Sequence, residues 1–313
     1  MNHVITRTLL ETKAETVEWI NIKSLSIEDK QILNEQDDLS NEFLEYATDI
    51  DESARVEEDD ENHARLLSFD VPFFDSDSKS YTTRPLIFIM KDNKVYTFMN
   101  EDKDYSQINH LLKRSFELVE YDSLYHMIFS VVYNFSLLYH EKLRILHKEW
   151  DNIEKSFRKN ASNSEIYRLL NVEKGLVYLS TSLKANKIAL NTLRRRWGYG
   201  PVQFSDRESE KLEDVLVEIM QAIEVSEINI ILVEKEKQSY STIIDNNMNT
   251  TMKALTIWTV LLTVPEIVFG FYGMNTKTLP LADSSLSWLI TILISIGFCF
   301  VLWHVFKKMK MLK

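Results

Sequence analysis

The stretch Met252–Asn275, MKALTIWTVLLTVPEIVFGFYGMN, decides how the chain folds. Its central part, Ala254–Tyr272, is apolar and long enough for a helix that crosses a bilayer core, which takes ~20 residues. A second apolar stretch, Leu286–Phe306, has Trp288 and Trp303 near its two ends, where interface aromatics lie. The sequence therefore predicts two membrane spans joined by a short loop.

Lysines indicate the orientation of these spans. One lysine precedes the first span, one lies in the loop and several follow the second span: Lys253, Lys277, Lys307, Lys308, Lys310 and Lys313. Because cytosolic flanks are enriched in Lys and Arg, we expect both termini in the cytosol and the loop outside. The first residues form no apolar segment of the kind that a signal peptide has. We therefore expect a multi-pass protein of the cell membrane, in contact with lipid.

The first span carries its polar residues on one face. Thr256, Thr259, Thr263 and Glu266 follow each other at steps of three, four and three, which places them in one row along a helix. The same spacing continues the row in both directions, to Gly270, Met252, Asn249, Asp245, Thr242 and Gln238. Lipid penalises such a face, above all a carboxylate. The row is therefore expected to face protein or water.

One helix cannot enclose water, and the mostly aliphatic second span offers no polar face, only His304 near its inner end. A ring of identical subunits, each turning its first span toward a common axis, solves this problem. The alternative is a dry seam in which threonines bond across two helices, which leaves Glu266 without a partner. We predict an oligomeric pore lined by Asn249, Met252, Thr256, Thr259, Thr263, Glu266 and Gly270.

The part before the spans is typical of an α/β domain. Thr16–Ile22 alternates like a half-buried strand, and residues 85–98 predict a hairpin with its turn at 91–94. Short helices are expected near 27–33 and 41–46.

Long helices follow this domain. One is predicted at 122–159, and a second begins at Ser162, with Glu165 at capping-box spacing, and ends before the glycines and proline at 198–201. A third begins at a Ser205–Glu208 capping box, and no glycine or proline follows until Pro265. If it continues to Tyr272 it is roughly 100 Å long, at ~1.5 Å per residue.

These features give the predicted organisation of the chain. The segments are an α/β cytosolic domain (1–120), a cytosolic helical hairpin (121–205), a stalk helix (206–253), the first span (254–275), an external loop (276–285), the second span (286–306) and a basic tail (307–313).

Composition narrows the function. A net charge of −11 argues against nucleic-acid binding, and a single cysteine excludes a disulfide within one chain. The acidic segment Asp49–Glu61 is expected to be a solvated loop or helix face, or else a collector of cations near a pore mouth. No glycine-rich phosphate loop, Cys-x-x-Cys or His-Glu-x-x-His is present, so we expect neither an enzyme nor an organic cofactor.

The residues Tyr272-Gly273-Met274-Asn275 end the first span, and one short loop, a last span and a lysine-rich tail follow. This arrangement resembles the CorA family of magnesium, cobalt and nickel transporters, whose signature is Gly-Met-Asn at this place. Met252–Thr256 is also similar to that family's approach to the first span. The resemblance implies a homopentameric channel with a funnel-shaped cytosolic α/β domain and long stalk helices.

The resemblance also implies roles for particular residues. Gly273, Met274 and Asn275 would form the outer selectivity filter, with the Asn275 carbonyl bound to a hydrated ion. Met252 and Leu255 would form a hydrophobic gate, ordinary helix packing being the alternative. Asp214 on the stalk would bind regulatory cytosolic Mg²⁺, so that Mg²⁺ is both cargo and regulator; a solvated helix face is the plainer interpretation. Mg²⁺ dehydrates reluctantly, which suits a ring of neutral carbonyls that need not strip its water.

Two departures from the family pattern bear on the metal. The outer loop lacks the family's frequent Met-Pro-Glu-Leu and has Asp283 as its one acid, and Glu266 stands where a small polar residue is usual. A zinc-transporting relative, with or without proton coupling, therefore remains an alternative. A membrane-anchored coiled-coil signalling or scaffold protein would explain the long helix and the anchor, but neither the polar row nor the Gly-Met-Asn motif.

Overall fold

The computed structural model describes residues 4–23, 25–99, 106–117, 120–159, 162–198, 202–274, 280 and 286–309. Contacts divide the chain into two compact units, Met1–Lys237 and Gln238–Lys313, called unit 1 and unit 2 below.

Unit 1 contains a six-stranded sheet. Its strands β1 to β6 are Val4–Glu11, Thr16–Lys23, Arg55–Asp59, Ala64–Asp75, Ser80–Lys91 and Lys94–Met99. They lie in the order β1-β2-β6-β5-β4-β3, and neighbours are antiparallel except for the parallel pair β2 and β6. A parallel pair needs a crossover, and the chain between β2 and β6 supplies it. The predicted β5–β6 hairpin is confirmed.

Helices cover both faces of this sheet. Helices α1 (Ile27–Asp37) and α2 (Asn41–Tyr46) lie where they were predicted and form one core with strand residues, including Ile20. On the other face Trp19 stacks on Phe116 of α3 (Ser106–Glu117), with 4.3 Å between the ring centroids. The expectation that β2 is half-buried is therefore wrong, because adjacent residues of this strand enter two different cores.

The acidic segment contains an edge strand that neither interpretation anticipated. Glu57, Glu58 and Asp59 belong to β3, which pairs with β4 on one side and forms the sheet's edge on the other. Charged side chains on an edge strand discourage pairing with another chain.

The helices of the predicted hairpin are α4 (Leu124–Lys159) and α5 (Asn163–Leu193), followed by a π-helical turn, Arg194–Gly198. Ser162 caps α5, but its hydroxyl accepts from the Ser164 amide and not from that of Glu165.

Helix α6 extends over Asp206–Tyr272, as predicted, and so contributes to both units. Its first turn has the predicted capping box. The Ser205 amide donates to Glu208 Oε2 at 2.7 Å, and the Glu208 amide donates to Ser205 Oγ at 3.4 Å.

A buried polar cluster joins α5 to the sheet. Strand β3 begins at Arg55, opposite Ser68 of β4. Farther along β4 the Asn186 side chain of α5 exchanges two 2.9 Å hydrogen bonds with the backbone of Asp70. The Tyr139 hydroxyl of α4 donates to the same Asp70 carbonyl at 2.8 Å. Burial raises the pKa of the Asp70 carboxyl to about 6, although a hydrogen bond with Ser182 acts in the opposite direction.

Unit 2 contains the rest of α6 and helix α7 (Ser287–Lys308). Both helices are long and apolar enough to cross a membrane by length and composition. Only 6% of the apolar window in α6 and 11% of that in α7 are buried. The core helix of a soluble protein would be mostly buried, so this exposure supports lipid as their surroundings.

Candidate metal pathway

The two spans face each other along a seam. On the first span the buried or half-buried residues are Ile257, Val260, Leu261, Val264, Pro265, Val268 and Tyr272. On the second span Thr291 and Ser295 are buried, and Ile294, Cys299, Leu302 and Phe306 are half-buried. A hydrogen bond from the Cys299 thiol to the Leu261 carbonyl, 3.6 Å between sulfur and oxygen, joins the two helices along this seam.

This seam corrects one expectation from the sequence. The second span was predicted to offer no polar face, yet Ser287, Thr291, Ser295 and Cys299 recur every fourth residue on its inner side. Residues four apart lie on the same side of a helix, so these small polar groups line the contact with the first span. Their four-residue spacing is present in the sequence, although aliphatic residues lie between them.

The polar row of the first span lies away from this seam. Thr256, Thr259, Thr263, Glu266 and Gly270 are all exposed in the single chain. At ~100° per residue, the centre of the row lies roughly 150° around the helix from the centre of the seam. The second span of the same chain therefore does not cover the row. The row continues, also exposed, through Met252, Asn249, Asp245, Thr242 and Gln238.

The threonine hydroxyls of the row donate to their own helix. Thr256 donates to the Met252 carbonyl at 2.9 Å, Thr259 to the Leu255 carbonyl at 2.9 Å, and Thr263 to the Thr259 carbonyl at 2.8 Å. A hydroxyl has one proton and two lone pairs. Once the proton is used inside the helix, each oxygen can only accept a hydrogen bond from whatever lies in front of the row.

The geometry at the end of α6 favours glycine as the first residue of the Gly273-Met274-Asn275 motif. The Gly273 amide still donates to the Phe269 carbonyl at 2.8 Å, and a Cβ at this position would lie 3.1 Å from that oxygen. Such a contact is crowded, so a larger residue would disturb the helix end. Met274 is half exposed, at 53%. Asn275 and residues 276–279 and 281–285 of the outer loop lie outside the described residues.

The remaining candidates lie on exposed surface. Met252 is 55% and Leu255 59% exposed, so neither packs within its own chain. Asp214 is exposed and has Lys211 Nζ at 3.9 Å. Within the described ranges no three His, Cys, Asp or Glu side chains come together in a way that could hold a metal ion. The row, the helix end and Asp214 all lie on α6, but Asp214 belongs to unit 1 and the other two belong to unit 2.

Comparison with known proteins identifies the family of this chain. The family of CorA-like Mg²⁺ transporter proteins matches residues 14–308 of the chain. A cobalt/magnesium transport protein CorA of Methanocaldococcus jannaschii is 24% identical over 296 residues, which cover 93% of this chain and 90% of that protein.

Solved structures show the same fold. The complete structure of the CorA magnesium transporter from Methanocaldococcus jannaschii superposes with a TM-score of 0.76 at 24% identity, over 93% of this chain and 90% of that one. The full-length CmaX protein gives a TM-score of 0.71 at 16% identity, over 96% of this chain and 90% of that one. Since the family match extends over nearly the whole sequence, the chain belongs to the CorA-like Mg²⁺ transporter family.

Proposed function

We propose that this chain forms a homopentameric membrane channel that conducts divalent metal cations, foremost Mg²⁺ and also Co²⁺ and Ni²⁺. The observation that carries this proposal is the polar row of the first span, which is uncovered on the side away from the second span. Lipid cannot cover it, and neighbouring copies around an axis can. Both termini lie in the cytosol, with the loop at 276–285 outside.

The row is suited to a cation that keeps its water. A hydrated Mg²⁺ presents water hydrogens outward, so its neighbours must accept hydrogen bonds. The hydroxyl oxygens of Thr256, Thr259 and Thr263 are acceptors, because their protons are already donated to backbone carbonyls. Such groups guide the ion without replacing its tightly held shell, which keeps binding weak enough for release.

The outer filter consists of Gly273, Met274 and Asn275. The Asn275 carbonyl binds the hydrated ion, and the crowding at Gly273 fixes where the helix ends and the filter begins. Met252 and Leu255 form a hydrophobic constriction toward the cytosol, which their exposure within one chain permits. Asn249 and Gly270 line the same axis.

Glu266 favours a second candidate for the cargo. It places a carboxylate on the row, where an oxygen ligand of full charge can replace water on a metal ion. Zn²⁺ accepts such a ligand readily, so a zinc-transporting relative, with or without proton coupling, competes with Mg²⁺ as the main function.

Regulation is proposed to follow cytosolic Mg²⁺. We propose that acidic residues of a neighbouring copy complete a site at Asp214, in keeping with the lack of a cluster of three metal-binding side chains within the described part of one chain. Removing divalent cations should then loosen the stalk and increase protease cleavage between Asp206 and Asn249. An unchanged digestion pattern across millimolar Mg²⁺ would count against this mode of regulation.

The decisive experiment is metal flux into liposomes that contain the purified protein. Mg²⁺, Co²⁺, Ni²⁺ and Zn²⁺ are compared with and without a pH gradient, for the wild type and for Asn275→Ala. We expect Asn275→Ala to lose most of its flux, roughly tenfold or more for a loss of ~1.4 kcal/mol at the transition state, while the oligomer stays assembled.

Asn93→Ala, in the exposed β5–β6 turn, is the matched control and should transport normally. Normal flux from assembled Asn275→Ala would refute the filter assignment. If the wild type transports Zn²⁺ but none of the other three ions, the cargo is Zn²⁺ and the assignment of Mg²⁺ is wrong.

A further inference from the structure

The first span has a break in its backbone hydrogen bonding. In a regular helix the Leu261 carbonyl accepts the amide proton of residue 265. That residue is Pro265, which has no N–H and lies inside α6. Within a membrane a carbonyl without a donor is costly, since lipid offers none.

The second span supplies a donor at this place. The Cys299 thiol donates to the Leu261 carbonyl, with sulfur and oxygen 3.6 Å apart. Cys299 is the one cysteine of the chain. It lies on the inner face of α7, where the buried Ser295 hydroxyl has no hydrogen-bond partner among the described residues. Of these two neighbouring side chains, it is therefore Cys299 that meets the freed carbonyl.

We propose that Cys299 is a positioning residue of the transport pathway: its thiol replaces the amide that Pro265 lacks and so fixes the first span against the second at the turn around Pro265. The polar row and Gly273 lie on this helix, so the geometry of the turn around Pro265 sets how the outer half of the row aligns with the inner half. The second span thereby controls the shape of the pathway without touching the cargo. This role rests on the proposed function, whereas the contact itself does not.

A spectroscopic test reports on the contact alone. With one cysteine in the chain, the S–H stretching band in an infrared spectrum of the full-length protein in liposomes has a single source. Pro265→Ala restores an amide that can donate to Leu261 and displace the thiol. The band should then move to higher frequency, as a hydrogen bond to the thiol proton is lost. An unmoved band would overturn the proposal.

A double-mutant cycle tests the positioning role. Cys299→Ala should change Mg²⁺ flux by about threefold, the effect of a typical interhelical hydrogen bond in a membrane protein. Cys299→Ser, which keeps a donor, should stay near the wild type. In the Pro265→Ala background, Cys299→Ala should have no further effect. Ser295→Ala is the control, because its hydroxyl has no acceptor here, and it should be additive with Pro265→Ala.

Each outcome of these experiments supports or contradicts the role of Cys299. An equal effect of Cys299→Ala in both proline backgrounds would overturn the proposal. If Pro265→Ala does not assemble, serine and alanine at position 299 are compared directly, and equal flux from the two contradicts the role. If the wild type transports no metal at all, the proposed function is wrong. The contact can still be tested in that case, by comparing the S–H band of the wild type with the spectra of Cys299→Ser, which has no such band, and of Pro265→Ala.

Discussion

Unit 1 and unit 2 satisfy their side chains in different ways. In unit 1 the sheet is covered on both faces, and groups such as Asn186 and Tyr139 find partners inside the same chain. In unit 2 the apolar windows of both helices are almost entirely exposed, and no described residue of the same chain covers the polar row. The core of the first unit is formed within a single chain. For the second we propose lipid on one side and further copies on the other.

The hydrogen bonds show the same contrast at the level of single residues. Asn186 of unit 1 bonds to a strand far away in sequence, which fixes tertiary structure. Thr259 and Thr263 of unit 2 bond within one turn of their own helix, which fixes nothing beyond that helix. Buried polar groups thus hold unit 1 together, whereas the threonine oxygens of the row in unit 2 can still accept hydrogen bonds.

The largest expected effect tests whether unit 1 has its own core. Leu183 of α5 is 0% exposed and Ile188 of the same helix is 68% exposed. Leu183→Ala should lower the free energy of unfolding of unit 1 by about 2–5 kcal/mol, because it leaves a cavity. Ile188→Ala should stay within ~0.5 kcal/mol of the wild type.

Urea unfolding of the full-length protein, followed by hydrogen exchange in β4 and β5, measures both. If the two variants lose equal stability, the surface around Ile188 is covered in the assembly and unit 1 is not complete as one chain.

The next effect concerns pH and is expected in unit 1. The folded pKa of Asp70, about 6, lies above the ordinary value of 3.8, mainly because of burial, with Glu52 adding to the rise. Between about pH 4 and pH 6 the folded state holds a proton that the unfolded state has released. The free energy of unfolding should therefore fall as pH rises through this window, by about 3 kcal/mol at ~1.4 kcal/mol per pKa unit.

Asp70→Asn should remove this pH dependence, since the amide does not titrate. Asp60→Asn, in the exposed β3–β4 turn, is the control and should keep it. The measurement is urea unfolding of unit 1 within the full-length protein at a series of pH values. If the free energy of unfolding of the wild type, measured at the strands around Asp70, rises from pH 4 to pH 6, the raised pKa of Asp70 is contradicted.

A smaller effect is expected in unit 2 at Glu266. If the row faces a common axis, Glu266→Gln removes a ring of carboxylates and should change the ratio of Zn²⁺ to Mg²⁺ flux by about threefold to tenfold, or ~0.7–1.4 kcal/mol. The oligomer should remain as stable as that of the wild type. An unchanged flux ratio together with a dissociating oligomer would instead show that Glu266 pairs sideways between subunits.

The sequence predicted unit 2 better than unit 1. Length, flanking lysines and steps of three and four were enough to find both spans and the row from Thr256 to Gly270. These are local patterns, and each rests on helix geometry alone. The capping box at Ser205 and the end of α6 at Tyr272 followed from equally local signals.

What the sequence did not reveal depends on which elements meet. The two-sided burial of β2 depends on α3 lying against Trp19, and the role of Asn186 depends on β3 beginning opposite Ser68. The Cys299 contact requires an antiparallel pair of spans in one particular register. The spacing of residues within one segment does not show which elements come into contact, although the four-residue repeat on α7 could have indicated a polar seam.

The most direct test of the channel asks whether the row faces water along the conduction path. In a Cys299→Ser chain, which lacks native cysteine, Thr259→Cys lies on the row and Phe298→Cys on the outer surface of the second span, where Phe298 is 56% exposed. Both are treated with a charged, water-soluble thiol reagent during Mg²⁺ flux into liposomes. We predict that Thr259→Cys reacts and its flux stops, that Mg²⁺ slows the reaction, and that Phe298→Cys stays unlabelled in lipid. Full flux from a Thr259→Cys protein that resists the reagent, or that is labelled without loss of transport, would show that the row does not line the conduction path.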